Sequence, residues 1–486
     1  MSADVRALSP NSLWNHFADL NAVPRASKKE ERVIQFMVDF GKSLGLETKV
    51  DDVGNVIIKK PATPGMENRQ IVVLQSHLDM VHQKNADTNF DFATEGIKML
   101  VDGDWVKADG TTLGADNGIG VATIMAVLAS KDMQHPAVEA LFTIDEETGM
   151  TGALGLKGGH LDATIMLNLD TEDDDELTIG CAGGIDVTAN GEAPLVDTPE
   201  NTSGYKISVK GLTGGHSGMD IHKGRGNANK LMNRLLLELS KQLNLHVGSI
   251  DGGGLRNAIP RESFSILAVQ QDDTAKFEQA VADFQKIYVA EYQITDPNIE
   301  IELEKVAAPN KVLESDFLSK LLRVVYSVQN GIYRMSPDIN DLVQTSNNLA
   351  RVLVADGNYT IMCLTRSSVD TEKDDLKNAL SASFELLGAK VSTSGAYPGW
   401  EPKPDAPIIK MMTDLYEEMF EGSPHVNACH AGLECGILGT NYPNMDMISF
   451  GPNIRGAHSP DEKVQISSVQ KYWKYFTKVL EGIPEK

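Results

Sequence analysis

The chain has 486 residues, which at about 150 per domain predicts two or three domains. Hydrophobic residues make up 41% and charged residues 23%, a balance that excludes a disordered or collagen-like chain. A net charge of −24 leaves no electrostatic footprint for nucleic acid and repels anionic lipid, so neither is expected as a partner.

The acidic excess reads as ordinary solubility, or in part as a carboxylate cluster holding cations. The N-terminal MSADVRALSPNSLW carries Asp4 and Arg6 and lacks the apolar stretch of a signal peptide. The longest near-apolar run, VATIMAVLA (121–129), is far short of the roughly 20 residues of a membrane helix. A cytoplasmic soluble protein is expected. Four cysteines (Cys181, Cys363, Cys429, Cys435), with no CxxC pair, argue against a disulfide framework and against thiolate zinc sites.

Over the first 180 residues, short apolar runs alternate with helical patterns, which predicts an α/β sheet. The runs IVVLQ (71–75), EALFTI (139–144) and ATIMLNL (163–169) are too short for buried helices and suit buried strands. Between the first two, NGIGVATIMAVLAS (117–130) predicts a helix. The middle of the chain differs. YKISVKGL (205–212) alternates like a sheet with one wet face, and NANKLMNRLLLELSKQL (227–243) comes next as an amphipathic helix. SDFLSKLLRVVYSVQNG (315–331) predicts another, stopping at Gly331. A third starts at Thr371 with Asp374 three residues on, as in a capping box, carries Leu376, Ala379, Leu380, Phe384 and Leu387 on one face, and ends at Gly388. MDMISFG (445–451) returns to the buried-strand pattern. The expected fold is α/β. A catalytic domain formed by 1–183 and 398–486 has a mixed, mostly parallel sheet flanked by helices, and an inserted α+β lid spans 184–397.

The residues just beyond each buried run carry the chemistry. IVVLQ leads to His77 and Asp79, EALFTI to Asp145, Glu146 and Glu147, ATIMLNL to Asp170, and MDMISFG to a segment holding His458. Ligands of open α/β sheets bind beyond the carboxyl ends of the strands, so these groups share one predicted pocket, which Asp116 can join. His77, Asp116, Glu147, Asp170 and His458 make a sulfur-free donor set suited to a hydrolytic two-metal centre of zinc or manganese. Each element also has an ordinary reading. A His and an Asp on one strand face arise by chance, and a Glu-Glu pair opens many solvated helices. The acidic run at 170–176 reads equally as a solvated turn. It lacks EF-hand spacing, and GADNGIG lacks the GK[ST] of a phosphate loop.

SHLDMV (76–81), GADNG (114–118), DEETGM (145–150), NLD (168–170), GGHSG (214–218) and GAHSPDE (456–462) resemble, in order along nearly the whole chain, the di-zinc aminoacylase/carboxypeptidase superfamily of metallopeptidases. With GMENR, GCAGGID, RNAIPRE, GAYPGW and HAGLECG, the chain is similar to the aminoacyl-histidine dipeptidase branch, close in substrate class to carnosinases. The resemblance implies two zinc ions, with Mn²⁺ or Co²⁺ able to substitute. Asp116 bridges them, His77 and Asp170 complete one ligand set, and Glu147 and His458 the other. It further implies that Asp79 orients His77, that Glu146 is the general base, and that a cis peptide comes after Asp116.

Arg366 in CLTRSS is expected to hold the substrate's terminal carboxylate through paired hydrogen bonds. Asn257, Ala431 and Gly432 are the other expected substrate-binding residues. His216 in GGHSG is expected to stabilise the oxyanion. Superfamily members with a short lid borrow this histidine from a partner subunit. A homodimer is therefore an admissible state here, but an insert of roughly 210 residues is large enough for the histidine to act within its own chain. The expected activity is hydrolysis of unblocked dipeptides with C-terminal histidine. The alternatives are an N-acyl-amino-acid deacylase, a broad dipeptidase or tripeptidase, and a non-catalytic metal-binding protein, which would not need Glu146.

Overall fold

The structure, a computed structural model, describes residues 2–486, with side chains from residue 4 onward. The chain divides into two compact units. One comprises the residues up to Gly180 together with Trp400–Ala428 and Leu433–Lys486, and the other Cys181–Gly399 with Cys429–Gly432.

The first unit is built on a sheet of eight strands: β1 (Glu47–Val50), β2 (Val56–Lys60), β3 (Val72–His77), β4 (Val138–Thr143), β5 (Ile165–Asn168), β6 (Glu176–Cys181), β7 (His425–Cys429) and β8 (Asp446–Ser449). Their order is β1-β2-β4-β3-β5-β8-β6-β7. The central strands β4, β3, β5 and β8 pair in parallel. The β1/β2, β2/β4 and β8/β6 pairs are antiparallel. Every residue of β3, β4 and β5 is buried. Continuous apolar runs of this kind are what strands covered on both faces require. The helix Ala115–Ala129 is buried almost all round. Lys60 closes its C-terminal end by donating to the carbonyls of Val127 and Ser130 at 2.8 and 2.7 Å. A smaller antiparallel sheet joins Met99–Asp102 and Trp105–Ala108 to Ile454–Arg455 and Lys463–Gln465, near the other end of the sequence.

The second unit is an antiparallel sheet of nine strands with four long helices, the α+β arrangement expected of the insert. Helices Ala228–Gln242, Thr274–Tyr292, Ser315–Ser327 and Asp370–Glu385 all send side chains into one core. Leu235, Phe277, Leu321 and Phe384 meet Val187, Tyr205, Ile207 and Leu267 of the sheet there. The tetrapeptide Cys429–Gly432 belongs to this unit, although the sequence pattern assigned all of 398–486 to the first. The N–H of Ala182 donates to the carbonyls of both Cys429 and Ala431, which ties the tetrapeptide to the start of the unit.

Three helix details differ from the sequence expectation. The helix from Ser315 ends at Ser327, before Gly331. Lys230 Nζ donates to the carbonyls of Val325, Tyr326 and Val328 and terminates it there, while Gly331 opens a strand paired with Val343–Ala355. Thr371 does not cap the next helix, which begins at Asp370 with no side-chain cap. Ala379 is exposed and the helix ends at Glu385, before Leu387 and Gly388, so its buried apolar face narrows to Leu376, Leu380 and Phe384.

Candidate active site

The acidic and histidine residues of the first unit sit where its central strands end. His77 is the last residue of β3, with Asp79 two positions on. Glu146 and Glu147 open a one-turn helix shortly after β4, and Asp170 stands two positions beyond β5. Asp116 lies in the first turn of the helix Ala115–Ala129, where its φ and ψ of −80° and 110° are not helical, and the peptide to Asn117 is cis. His458, at φ 63° in the left-handed region, comes from the loop joining the two C-terminal strands of the small sheet.

Two of the sets these groups form, His77/Asp116/Asp170 and Asp116/Glu147/His458, share Asp116, and His77, Glu146 and Glu147 make a third. Asp116 Oδ1 lies 3.2 Å from His77 Nε2, and Oδ2 lies 3.1 Å from His458 Nε2. Each imidazole has a second carboxylate of its own. His77 Nε2 is 3.6 Å from Asp170 Oδ1, and His458 Nε2 is 3.0 Å from Glu147 Oε2. Asp79 lies behind them. Its Oδ1 is 3.3 Å from His77 Nδ1, and its two oxygens accept the backbone N–H groups of Glu146 and Glu147 at 3.0 and 3.3 Å. One carboxylate therefore lies against the imidazole and holds the Glu-Glu turn by its backbone.

Two further residues fix this geometry, and sequence reasoning assigned a role to neither. Glu462, four positions after His458, accepts four consecutive backbone N–H groups. Leu113 and Gly114 donate to Oε2 at 2.7 and 2.9 Å, and Ala115 and Asp116 to Oε1 at 2.7 and 3.1 Å. This buried carboxylate thus fastens the Asp116 loop to the His458 loop. Arg25, also buried, donates to the carbonyls of Leu78 (3.1 Å), Asp79 (3.0 Å) and Gly114 (2.5 Å). Glu462 stands in GAHSPDE, and its position there was the available signal. Arg25 has no local signature.

Burial pushes three of the acids upward: Glu146 well above the ordinary range, Asp170 to about 6, and Glu172 to about 8. It also raises Glu434 and Glu462 to about 7, the latter against the pull of the N–H groups it accepts. The hydrogen bonds that His458 donates to the carboxylates of Asp116 and Glu147 raise it to about 11. Burial works against the charged form of His77, yet the carboxylates of Asp170, Asp116 and Asp79 hold it well above the usual imidazole value. The imidazoles thus take up protons because negative charge is in excess, and a metal ion competes for the same atoms. Two imidazole nitrogens and several carboxylate oxygens without sulfur, with Glu147 Oε1 buried and lacking a hydrogen-bond partner, fit divalent cations.

His216, Asn257, Arg366, Ala431 and Gly432 belong to the second unit. His216 Nδ1 accepts the N–H groups of Gly218 and Met219 at 3.2 and 3.0 Å. Burial, then the charge of Arg366, lowers its pKa, so the neutral ring carries its proton on Nε2. Arg366 is buried and donates to Tyr397 Oη at 2.8 Å and to Ser217 Oγ at 3.5 Å. Asn257 is exposed, and its carbonyl accepts the Ser217 N–H at 2.7 Å. A Cβ on Gly218 would lie 2.0 Å from the carbonyl oxygen of His430, so only glycine lets the His216 turn approach the tetrapeptide that holds Ala431 and Gly432.

Among known proteins, the family model of peptidase family M20/M25/M40 matches residues 73–482. The chain is 44% identical over 484 residues to the cytosol non-specific dipeptidase of Escherichia coli (strain K12), covering 100% of both. Among solved structures it is similar to aminoacylhistidine dipeptidase from Vibrio alginolyticus, with a TM-score of 0.94 and 44% identity over 99% of this chain and 98% of that one. Aminopeptidase PepT from Bacillus cereus ATCC 10987, at TM-score 0.57 and 15% identity over 98% and 99% of the two chains, shares the fold.

The Glu462 geometry generates a stability prediction. Glu462→Ala leaves four backbone donors without their acceptor, and buried unsatisfied groups cost about 1–3 kcal/mol each, so a loss of at least ~3 kcal/mol is expected in urea unfolding. A loss below about 1 kcal/mol would mean that the loop finds other acceptors.

Proposed function

The chain belongs to peptidase family M20/M25/M40, and we propose that it is a di-metal dipeptidase cleaving unblocked dipeptides, those with C-terminal histidine such as β-alanyl-histidine among them. The observation that carries this reading is the Asp116 carboxylate, which offers one oxygen to each of two imidazoles, each paired with a second carboxylate. In this reading two zinc ions, replaceable by manganese or cobalt, would share Asp116 as a ligand. His77 and Asp170 would hold one, and Glu147 and His458 the other. Bound there, the ions supply Lewis acidity and lower the pKa of water to about 7.

The chain's own groups do the rest. Glu146, raised by burial, is a suitable base to take the proton of the attacking water and return it to the leaving amine. Asp79 holds the tautomer of His77 and the backbone of both glutamates. His216 donates its Nε2–H to the developing oxyanion, an interaction made mainly in the transition state. Arg366, oriented by Tyr397 and Ser217, receives the terminal carboxylate, with Asn257, Ala431 and Gly432 completing substrate binding. The names of the two relatives at 44% identity favour a peptide over an N-acyl substrate, and one of them is called non-specific, which favours a broad range. A cytosolic setting accords with that relative's name, and among the described residues no helix is long and apolar enough to cross a membrane.

The direct test is hydrolysis of a dipeptide panel by metal-stripped protein with zinc, manganese or cobalt added back. Activity on β-alanyl-histidine that returns with metal, and none on N-acetyl-histidine, is expected; the reverse preference would establish the deacylase reading. Glu146→Gln should keep its metal and lose about 10²–10⁴-fold in turnover, whereas Asp116→Ala should lose metal as well. A metal-loaded Glu146→Gln enzyme of near-normal activity would remove Glu146 from the mechanism. The two second-unit residues should separate kinetically. His216→Ala is expected to lower kcat by about 10²–10³ with little change in KM. Arg366→Ala should raise KM for dipeptides but not for their C-terminal amides, and equal effects on both would rule out carboxylate recognition.

A further inference from the structure

One step back along the central strands from the site residues lies a buried polar layer that the proposed chemistry leaves unused. Gln75 precedes His77 by two positions on β3 and so shares its face, while Thr143 and Asn168 are the last residues of β4 and β5. All three are buried. Asn168 Nδ2 donates to Gln75 Oε1, and Gln75 Nε2 lies 3.1 Å from Thr143 Oγ1. Glu434, the first residue of the helix Glu434–Asn441, enters this layer wholly buried. Its Oε2 accepts from Gln75 Nε2 at 2.7 Å and from Thr143 Oγ1 at 2.6 Å. Its Oε1 is buried with no hydrogen-bond partner.

Two neutral donors are meagre compensation for a carboxylate removed from water. Among the described residues no lysine, arginine or histidine forms an ion pair with Glu434. An amide of the same shape would fill this place at lower electrostatic cost. What distinguishes the carboxylate is its charge, and the groups that feel that charge are His77, Asp79, Asp170 and Glu146 of the adjoining layer.

We propose that Glu434 is a positioning residue for the metal pair: its buried charge, tethered to β3 and β4 through Gln75 and Thr143, strengthens cation binding by ligands that it does not itself touch. The inference rests on the di-metal reading above and adds to it a residue outside the ligand set. A purely structural residue would anchor its helix and leave metal affinity alone.

The two roles predict opposite results. For wild type, Glu434→Gln and Glu434→Met, the zinc dissociation constant is measured by competition with a chromophoric chelator, and the melting temperature is measured on metal-stripped protein. The stripped variants should melt at or above the wild-type temperature, because a buried carboxyl with one unpartnered oxygen has been removed. They should bind zinc about 10–100-fold more weakly, the usual scale for groups supporting a metal's ligands. Unchanged zinc affinity would overturn the proposal. So would variants that melt earlier when stripped or fail to fold, since that is the signature of a structural anchor. If wild type itself takes up no zinc, the di-metal reading falls together with this inference. If wild type and variants bind zinc equally, only this inference falls.

Discussion

Carboxylates withdrawn from water require positive charge close by, and the first unit supplies little of its own. Asp79, Asp116, Glu147, Asp170 and Glu462 gather around two imidazoles and the guanidinium of Arg25. Burial draws even Arg25 down to about 10, while the surrounding acids pull it back up. Water cannot relieve the excess where the side chains are buried, so it falls on protons or on bound cations. The arrangement of Asp116 between the imidazoles is the geometric expression of that demand.

Such a cluster repels itself and keeps its shape only if the backbone beneath it is fixed. Glu462 does this for the Asp116 loop by accepting four successive N–H groups. Arg25 does it for the strand end after His77, gathering the carbonyls of Leu78 and Asp79 together with that of Gly114. One group binds donors and the other acceptors, and Gly114 contributes to both. The same loop is therefore held from two sides, through both ends of its peptide dipoles.

Much of the fold was legible in the sequence because the central strands are buried on both faces, and such strands announce themselves as short, mostly apolar runs. The runs at 71–75, 139–144, 163–169 and 445–451 each overlap a strand, and the polar residues after them converge. The features that escaped depend on partners distant in sequence. Nothing near Arg25 marks it as buried among carbonyls more than fifty residues away. Gly331 has the marks of a helix stop, yet the side chain of Lys230 ends that helix earlier. The tetrapeptide Cys429–Gly432 sits inside an otherwise uniform stretch, and its hydrogen bonds with the Ala182 N–H and, through His430, with Ser346 Oγ tie it to the second unit.

The strand order of the first unit also bears on how the chain is made. β8 lies between β5 and β6, so a strand from near the C-terminus fills a slot in the middle of a sheet whose other members, except β7, are all synthesised before residue 182. While a ribosome works through the intervening insert, β5 and β6 have no partner on their facing edges. Open, apolar strand edges are templates for wrong pairing with other chains. The nascent protein thus passes through a long interval in which strands of the sheet's interior lack the neighbour that will cover their edges.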